Sequence, residues 1–216
     1  MLIINYHGGV FFMFKLEITD WDVYYLHNYI RNDDRRVANL NDRKLSSKIL
    51  NYKNGKTPEI RLFTRELMKS ISYISNYIIG DKFEKLALVS IPPSKVDKFS
   101  PILESINQIE EWYKIGKTRS DFDCSYEIIN ANILTRYSNV NSAHNEGQRP
   151  TYDEHLNSIL YDKNFIFEKN TAFILIDDIT TTGTIMDACE DILTENDIDK
   201  NSIYKLAISK TVHDDD

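Results

Sequence analysis

Residues 177–184 combine side chains that could do chemistry. Two adjacent carboxylates, Asp177 and Asp178, follow the apolar run Phe173–Ile176. A polar loop comes next, and its residues include Thr180, Thr181, Thr182, Gly183 and Thr184. The loop leads into a segment with helical periodicity. Backbone N–H groups and hydroxyls at a helix N-terminus can hold a phosphate, and paired carboxylates suit ribose hydroxyls or a hydrated Mg²⁺ ion. The spacing therefore favours a ligand that carries both a phosphate and a diol, such as a ribose 5-phosphate.

Residues 173–186 resemble the phosphoribosyl-pyrophosphate (PRPP) motif of type I phosphoribosyltransferases, which has four apolar residues, two acidic residues and a Thr-Thr-Gly loop. In that family the acid pair holds the ribose hydroxyls and supports a cationic transition state. The resemblance gives these catalytic roles, and any contact with Mg²⁺, to Asp177 and Asp178. It gives the 5′-phosphate to the loop residues Thr180, Thr181, Thr182, Gly183 and Thr184. The chain departs from the motif at Ile185, where the family usually has a second Ser or Thr.

The resemblance extends over roughly residues 60–211 and is strongest to the ComF-like branch of the family. The segment Leu88–Lys95 resembles the strand and loop that hold pyrophosphate, with Ser94 and Lys95 as candidates; an ordinary Pro-Pro turn is the alternative. A later segment resembles a hood-like loop over the site and includes Leu134, Thr135, Arg136, His144, Gly147, Arg149 and His155. Arg149 is the first candidate to bind the leaving group and Arg136 the second, unless this segment is only a solvated loop.

The pattern along the chain predicts elements that would position these groups. The predictions are a helix from Thr57 to Gly80, a strand at Leu86–Ile91, a helix from Ser100, a strand over 126–136, a loop over 138–153, a strand at Thr171–Ile176, a helix over 184–194 and a strand at Ile203–Ser209. Strands that alternate with helices favour a parallel α/β sheet. The resemblance implies, more specifically, a type I phosphoribosyltransferase-like sheet flanked by helices.

The first 59 residues do not fit the resemblance. They contain no cysteine, so the N-terminal zinc ribbon of the ComF-like branch is missing. The pattern predicts a hairpin around Gly8-Gly9 and a helix that begins near Thr19, and Met13 is an alternative start. We expect a mainly helical N-terminal extension over residues 1–59, adapted to a protein partner, and an α/β domain over residues 60–216.

Composition restricts the class of protein. The 216 residues carry a net charge of −7 and two cysteines, which argues against a nucleic-acid coat, a zinc ribbon and a disulfide scaffold. Residues 31–48 are locally basic, with six Lys or Arg against three Asp, and are the only candidate for nucleic-acid contact. The chain has no long apolar run and no basic leader, so we expect a cytoplasmic protein without a membrane segment. Homo-oligomer formation stays open.

Two functions of different class follow from these features. The first is a transferase that binds Mg·PRPP and transfers its phosphoribosyl group with release of pyrophosphate. The second is a catalytically silent sensor of PRPP or a ribonucleotide, acting as an accessory protein in a phage-defence system similar to some retron systems. A structural α/β protein with a vestigial site is a third interpretation, and the sequence does not identify the acceptor.

Overall fold

The chain forms an α/β structure around one large sheet. The computed structural model describes residues 16–30, 40–115, 126–140 and 149–212. Its strands are β1 (Glu17–Ile18), β2 (Val23–Ile30), β3 (Lys85–Ser90), β4 (Glu127–Asn130), β5 (Leu134–Arg136), β6 (Ile159–Tyr161), β7 (Thr171–Thr180) and β8 (Ile203–Val212). Six of them form a sheet in the order β1-β2-β8-β7-β3-β4, in which β1 is antiparallel to β2 and the other pairs are parallel. The expected α/β class with a mostly parallel sheet is confirmed.

Helices cover both faces of this sheet. They are α1 (Leu40–Lys53), α2 (Thr57–Tyr73), α3 (Pro101–Lys114), α4 (Tyr152–Leu156) and α5 (Thr184–Glu195). Helices α1, α2 and α3 pack on one face, where β7 contributes Ile174 and Ile176. Helix α5 and a small antiparallel sheet of β5 and β6 pack on the other face, where β7 contributes Phe173 and Leu175. The segment Ala172–Ile176 of β7 is a continuous apolar run, as expected for a strand that is covered on both faces.

The helix that leads away from β3 begins as its sequence predicts. The Ser100 hydroxyl accepts a hydrogen bond from the Leu103 N–H at 3.1 Å, and Pro101 occupies the first turn of α3. Helix α2 begins at Thr57, but the capping position is Lys56, which makes no side-chain cap. The predicted continuation to Gly80 is a π-helical turn at Ile74–Ile79.

The helix predicted from Thr19 is wrong. Residues Val23–Ile30 form the strand β2, which pairs in parallel with β8. Val23 and Tyr25 pack on one face of the sheet, whereas Leu26 and Tyr29 pack on the other. A strand that is buried on both faces lacks the apolar–polar alternation of period two, so its aromatic residues happened to match helical spacing.

The strand predicted over residues 126–136 is also wrong in its extent. It divides into β4, at the edge of the large sheet, and β5, which pairs with β6. The Ala131 N–H donates a hydrogen bond to the Leu88 carbonyl at 2.9 Å, and the chain leaves the large sheet after this residue. Helix α4 and strand β6 were not predicted.

The N-terminal region is only partly helical. Strands β1 and β2 join the large sheet, and α1 is its one helix within residues 16–30 and 40–53. The predicted hairpin around Gly8-Gly9 and residues 31–39 of the basic segment lie outside the described residues. The predicted boundary between residues 59 and 60 stays a prediction, although β1 and β2 share a sheet with the strands that follow it.

Within the described residues, none of the helices is both long enough and apolar enough to span a membrane.

Candidate functional site

The topology creates a crevice between β3 and β7. These strands are neighbours, but the chain leaves β3 through α3 toward β4 and leaves β7 through α5 toward β8, on the other side. Parallel sheets bind ligands at such switch points, beyond the carboxyl ends of the strands. A cavity of about 300 Å³ lies here, lined by residues that follow both strands. Its volume is at the lower end of the range for small-molecule sites.

The cavity brings together some of the predicted site residues and not others. Those that line it are Asp177, Asp178, Thr181, Ser94 and Arg149. Those that do not line it are Thr180, Thr182, Gly183, Thr184, Lys95 and Arg136. His144 and Gly147, two residues of the resemblance to the hood, lie outside the described residues.

The acid pair lies within the last four residues of β7, which runs to Thr180 rather than to the predicted Ile176, and neighbouring elements hold it in place. The Asp178 N–H donates to Asp177 Oδ1 at 2.8 Å. Lys53 Nζ, from the last turn of α1, donates to Asp178 Oδ1 at 3.2 Å. Ser209 Oγ on β8 donates to the Asp178 carbonyl at 3.2 Å. Helix α1 and strand β8 therefore fix the position of Asp178 before any ligand binds.

The two carboxylates share one electrostatic environment. Burial raises the pKa of Asp177 to about 7, and the charge of Asp178 adds to the rise while Lys53 opposes it. The pKa of Lys53 is raised chiefly by Asp178, so its ammonium is charged. The charge of the site therefore changes close to neutral pH.

The threonine–glycine loop has the backbone shape that an anion site needs. Gly183 caps α5 with φ = +76°, a conformation that favours glycine, and provides no side-chain cap for the first turn. The Thr182 and Thr184 hydroxyls lie 2.7 Å apart and bond to each other, and Thr181 Oγ1 lies 3.1 Å from Thr211 Oγ1. The N–H groups of the first turn of α5 remain without a side-chain cap, as a phosphate cradle requires.

A tryptophan from the N-terminal region closes one side of this loop. A Cβ atom placed on Gly183 would lie 2.4 Å from Trp21 Cδ1, so the indole packs directly against the glycine backbone. Lys210 Nζ lies 5.1 Å from the centroid of the indole ring. The sequence places Trp21 far from the motif, and only the pairing of β2 with β8 brings it here.

Arg136 does not line the cavity but bonds to Pro93, which does. It is 3% exposed, its Nε donates to the Pro93 carbonyl at 2.5 Å, and its Nη1 donates to the Ser158 hydroxyl. These bonds tie the loop after β3 to the residues between α4 and β6. Its predicted contact with pyrophosphate stays a prediction, and its position within the described residues is that of a structural support.

Three basic residues that line the cavity were not candidates in the sequence interpretation: Lys53, Lys98 and His155. Lys98 lies three residues after the predicted Lys95, so only the path of the loop distinguishes them. Lys53 lies outside the basic segment and outside the resemblance. His155 belongs to the segment that resembles the hood-like loop, but the sequence gives it no role.

A Mg²⁺ ion would need ligands beyond those that the described residues supply. No group of three or more His, Cys, Asp and Glu side chains suited to a metal occurs in residues 16–30, 40–115, 126–140 and 149–212. The oxygens of Asp177 and Asp178 fit Mg²⁺, which commonly takes one or two carboxylates and completes its shell with water and phosphate oxygens. The residues therefore fit an ion that arrives with a phosphorylated ligand.

No family model matches the chain, and a search of curated proteins also finds no match.

Proposed function

We propose that the protein is a type I phosphoribosyltransferase-like protein of the ComF-like branch, which binds Mg·PRPP and transfers its phosphoribosyl group. One observation carries the proposal: the acid pair lies near the carboxyl end of a central parallel strand at a topological switch point, and this strand leads through a Thr-Gly loop into a helix. This arrangement joins a site for a diol to a site for a phosphate, and the cavity beside it also contains cationic side chains.

Asp177 and Asp178 would hold the ribose. Carboxylates accept hydrogen bonds from both hydroxyls of a diol. Their negative charge also favours the positive charge that develops on the ring as the bond at C1 breaks. Lys53 keeps Asp178 in place by its 3.2 Å contact, so the carboxylate does not need to reorganise when the charge develops.

Ser94, Lys98 and Arg149 are the cavity residues that suit pyrophosphate. The bond between C1 and the pyrophosphate oxygen breaks, its electron pair leaves with pyrophosphate, and the acceptor forms the new bond to C1. Mg²⁺ bound with PRPP would neutralise part of the charge on the leaving group. Lysine and arginine on the protein supply the rest of that neutralisation.

The sensor function remains the second candidate because of Ile185. Its side chain lines the cavity at the position where the family usually has a hydroxyl. The loss of one phosphate contact would weaken binding without removing the rest of the site. A protein that binds PRPP and does not turn it over would also need this cavity.

Phosphorus NMR distinguishes the two functions. PRPP and Mg²⁺ are mixed with a small amount of protein in the presence of adenine, guanine, hypoxanthine and uracil. We expect broadened PRPP resonances, followed by free pyrophosphate. Broadening without pyrophosphate would favour the sensor, and sharp PRPP resonances with folded protein would contradict both functions.

A further inference from the structure

His155 is buried against the cavity, and one nitrogen of its ring has no hydrogen-bond partner among the described residues. It is 8% exposed and lines the same cavity as Asp177, Asp178, Ser94 and Arg149. Its Nδ1 is buried without a partner among the described residues. Because Nδ1 is the enclosed nitrogen, Nε2 is the nitrogen left to meet a ligand.

The backbone around His155 is firmly held. Helix α4 begins with a capping box in which Thr151 Oγ1 accepts from the Glu154 N–H at 3.2 Å and Glu154 Oε2 accepts from the Thr151 N–H at 2.6 Å. The Ser158 hydroxyl lies 3.0 Å from the His155 carbonyl and receives a hydrogen bond from Arg136. The imidazole is therefore presented by a rigid short helix.

Burial and two charged residues determine the protonation state of this ring. Burial is the main cause that lowers the pKa of His155 to about 4; the charge of Arg136 acts in the same direction, and that of Glu154 opposes both. The imidazole is therefore neutral near pH 7 and has one donor and one acceptor nitrogen. Arg136 Nη2 is also buried without a partner among the described residues. The tautomer with the lone pair on the enclosed Nδ1 and the proton on Nε2 leaves no ring N–H buried without an acceptor.

We propose that His155 binds the pyrophosphate portion of the ligand by donating a hydrogen bond from Nε2–H. The inference rests on the proposed function and deepens it, because it assigns a further residue to the leaving-group part of that site. A neutral donor on this wall adds a hydrogen bond to the charges of Lys98 and Arg149. Arg136 joins His155 to this part of the cavity, since its Nε holds the Pro93 carbonyl next to Ser94.

The two halves of PRPP, ribose 5-phosphate and Mg·pyrophosphate, test this assignment separately. Each is titrated by calorimetry into the wild type, His155→Phe and His155→Gln. Phenylalanine keeps the ring and removes the donor, whereas the glutamine amide can donate from about the position of Nε2. We expect His155→Phe to bind Mg·pyrophosphate about tenfold to a hundredfold more weakly, as for the loss of a hydrogen bond to a charged group. Its affinity for ribose 5-phosphate should be unchanged, and His155→Gln should bind both probes nearly as the wild type does.

His27→Phe is the matched control. His27 pairs with Glu66 at 2.6 Å and does not line the cavity, so this variant should bind both probes as the wild type does. Thermal unfolding checks that each variant is folded. Nitrogen-15 NMR of the wild type gives a measurement that needs no variant: the Nε2 resonance of His155 should shift with Mg·pyrophosphate and not with ribose 5-phosphate.

The possible failures are distinguishable. If the wild type binds neither probe, the proposed function fails and this inference fails with it. If the wild type binds both and His155→Phe does too with equal affinity, only the inference is overturned. Equal weakening in His155→Phe and His155→Gln would also overturn it, because the ring would then act through packing rather than through a hydrogen bond.

Discussion

Asp177 holds a proton that most aspartates lose well below neutral pH. Burial and the charge of Asp178 raise its pKa to about 7. Between about pH 4 and pH 7 the folded protein therefore binds more protons than the unfolded chain. The contribution of Asp177 to the free energy of unfolding is fully present at low pH and is lost as the pH rises through 7. At pH 8 the ligand-free protein therefore carries an Asp177 carboxylate whose charge is destabilised by burial and by Asp178.

The stability of Asp177→Asn at different pH values tests the raised pKa of Asp177. Asp177→Asn should raise the free energy of unfolding by about 2 kcal/mol at pH 8, because it removes a buried charge, and the gain should shrink toward pH 5. Urea unfolding with EDTA at pH 5, 6.5 and 8 measures the difference. Asp197→Asn is the control, since Asp197 is exposed and its positive φ of 66° suits asparagine. An equal effect of Asp177→Asn at all three values of pH would contradict the raised pKa.

At the scale of elements, the loop before α5 and the turn before β2 depend on each other. Gly183 has φ = +76°, and its hydrogen faces the Trp21 indole where a Cβ would lie 2.4 Å from Cδ1. Each element therefore restricts the residue that the other can carry.

Gly183→Ala should lower the free energy of unfolding by about 2 kcal/mol or more, from the left-handed backbone and the collision with Trp21. Trp21→Ala in the same chain should recover part of that loss, since it removes the collision but not the backbone strain. Urea unfolding of both single variants and the double variant gives the coupling energy. If the losses of unfolding free energy in the two single variants add up to the loss in the double variant, the indole does not collide with residue 183.

The elements also show which features a sequence can predict. The Ser100 cap and helix α5 depend on local patterns, and both were predicted. The apolar part of β7 was predicted as well, but the strand continues past the predicted end at Ile176 to Thr180 and so includes the acid pair. Strand β2 was not, because burial on both faces erases the alternation that marks a strand. The division between β4 and β5 depends on pairing with distant β3 and β6, which no local pattern records.

The same limit applies to the candidate site. Asp177, Asp178 and Thr181 are close in sequence, so a motif could find them, and all three line the cavity. Lys53 reaches Asp178 across 125 positions of sequence, and only the packing of α1 on the sheet brings it there. Arg136 is a candidate through the resemblance alone, and it does not line the cavity but bonds to the Pro93 carbonyl and the Ser158 hydroxyl. Its contact with pyrophosphate stays a prediction.

At the scale of the whole molecule, one topological feature places the site. The chain turns in opposite directions after β3 and β7, so the loops that follow them separate and leave a crevice. Residues 16–30 and 40–53 add Tyr29 and Lys53 to its lining. The N-terminal region therefore helps to build the site in addition to any contact it makes with a partner.

The most direct test of the account is a calorimetric titration with PRPP, with and without Mg²⁺. We predict Mg²⁺-dependent binding to the wild type that is lost in Asp177→Asn/Asp178→Asn. The matched control is Glu195→Gln/Asp197→Asn, which removes two exposed carboxylates at the far end of α5 and just after it, and should bind as the wild type does. Failure of the folded wild type to bind Mg·PRPP, or equal binding by the Asp177→Asn/Asp178→Asn variant, would contradict the assignment of this cavity to a phosphoribosyl ligand.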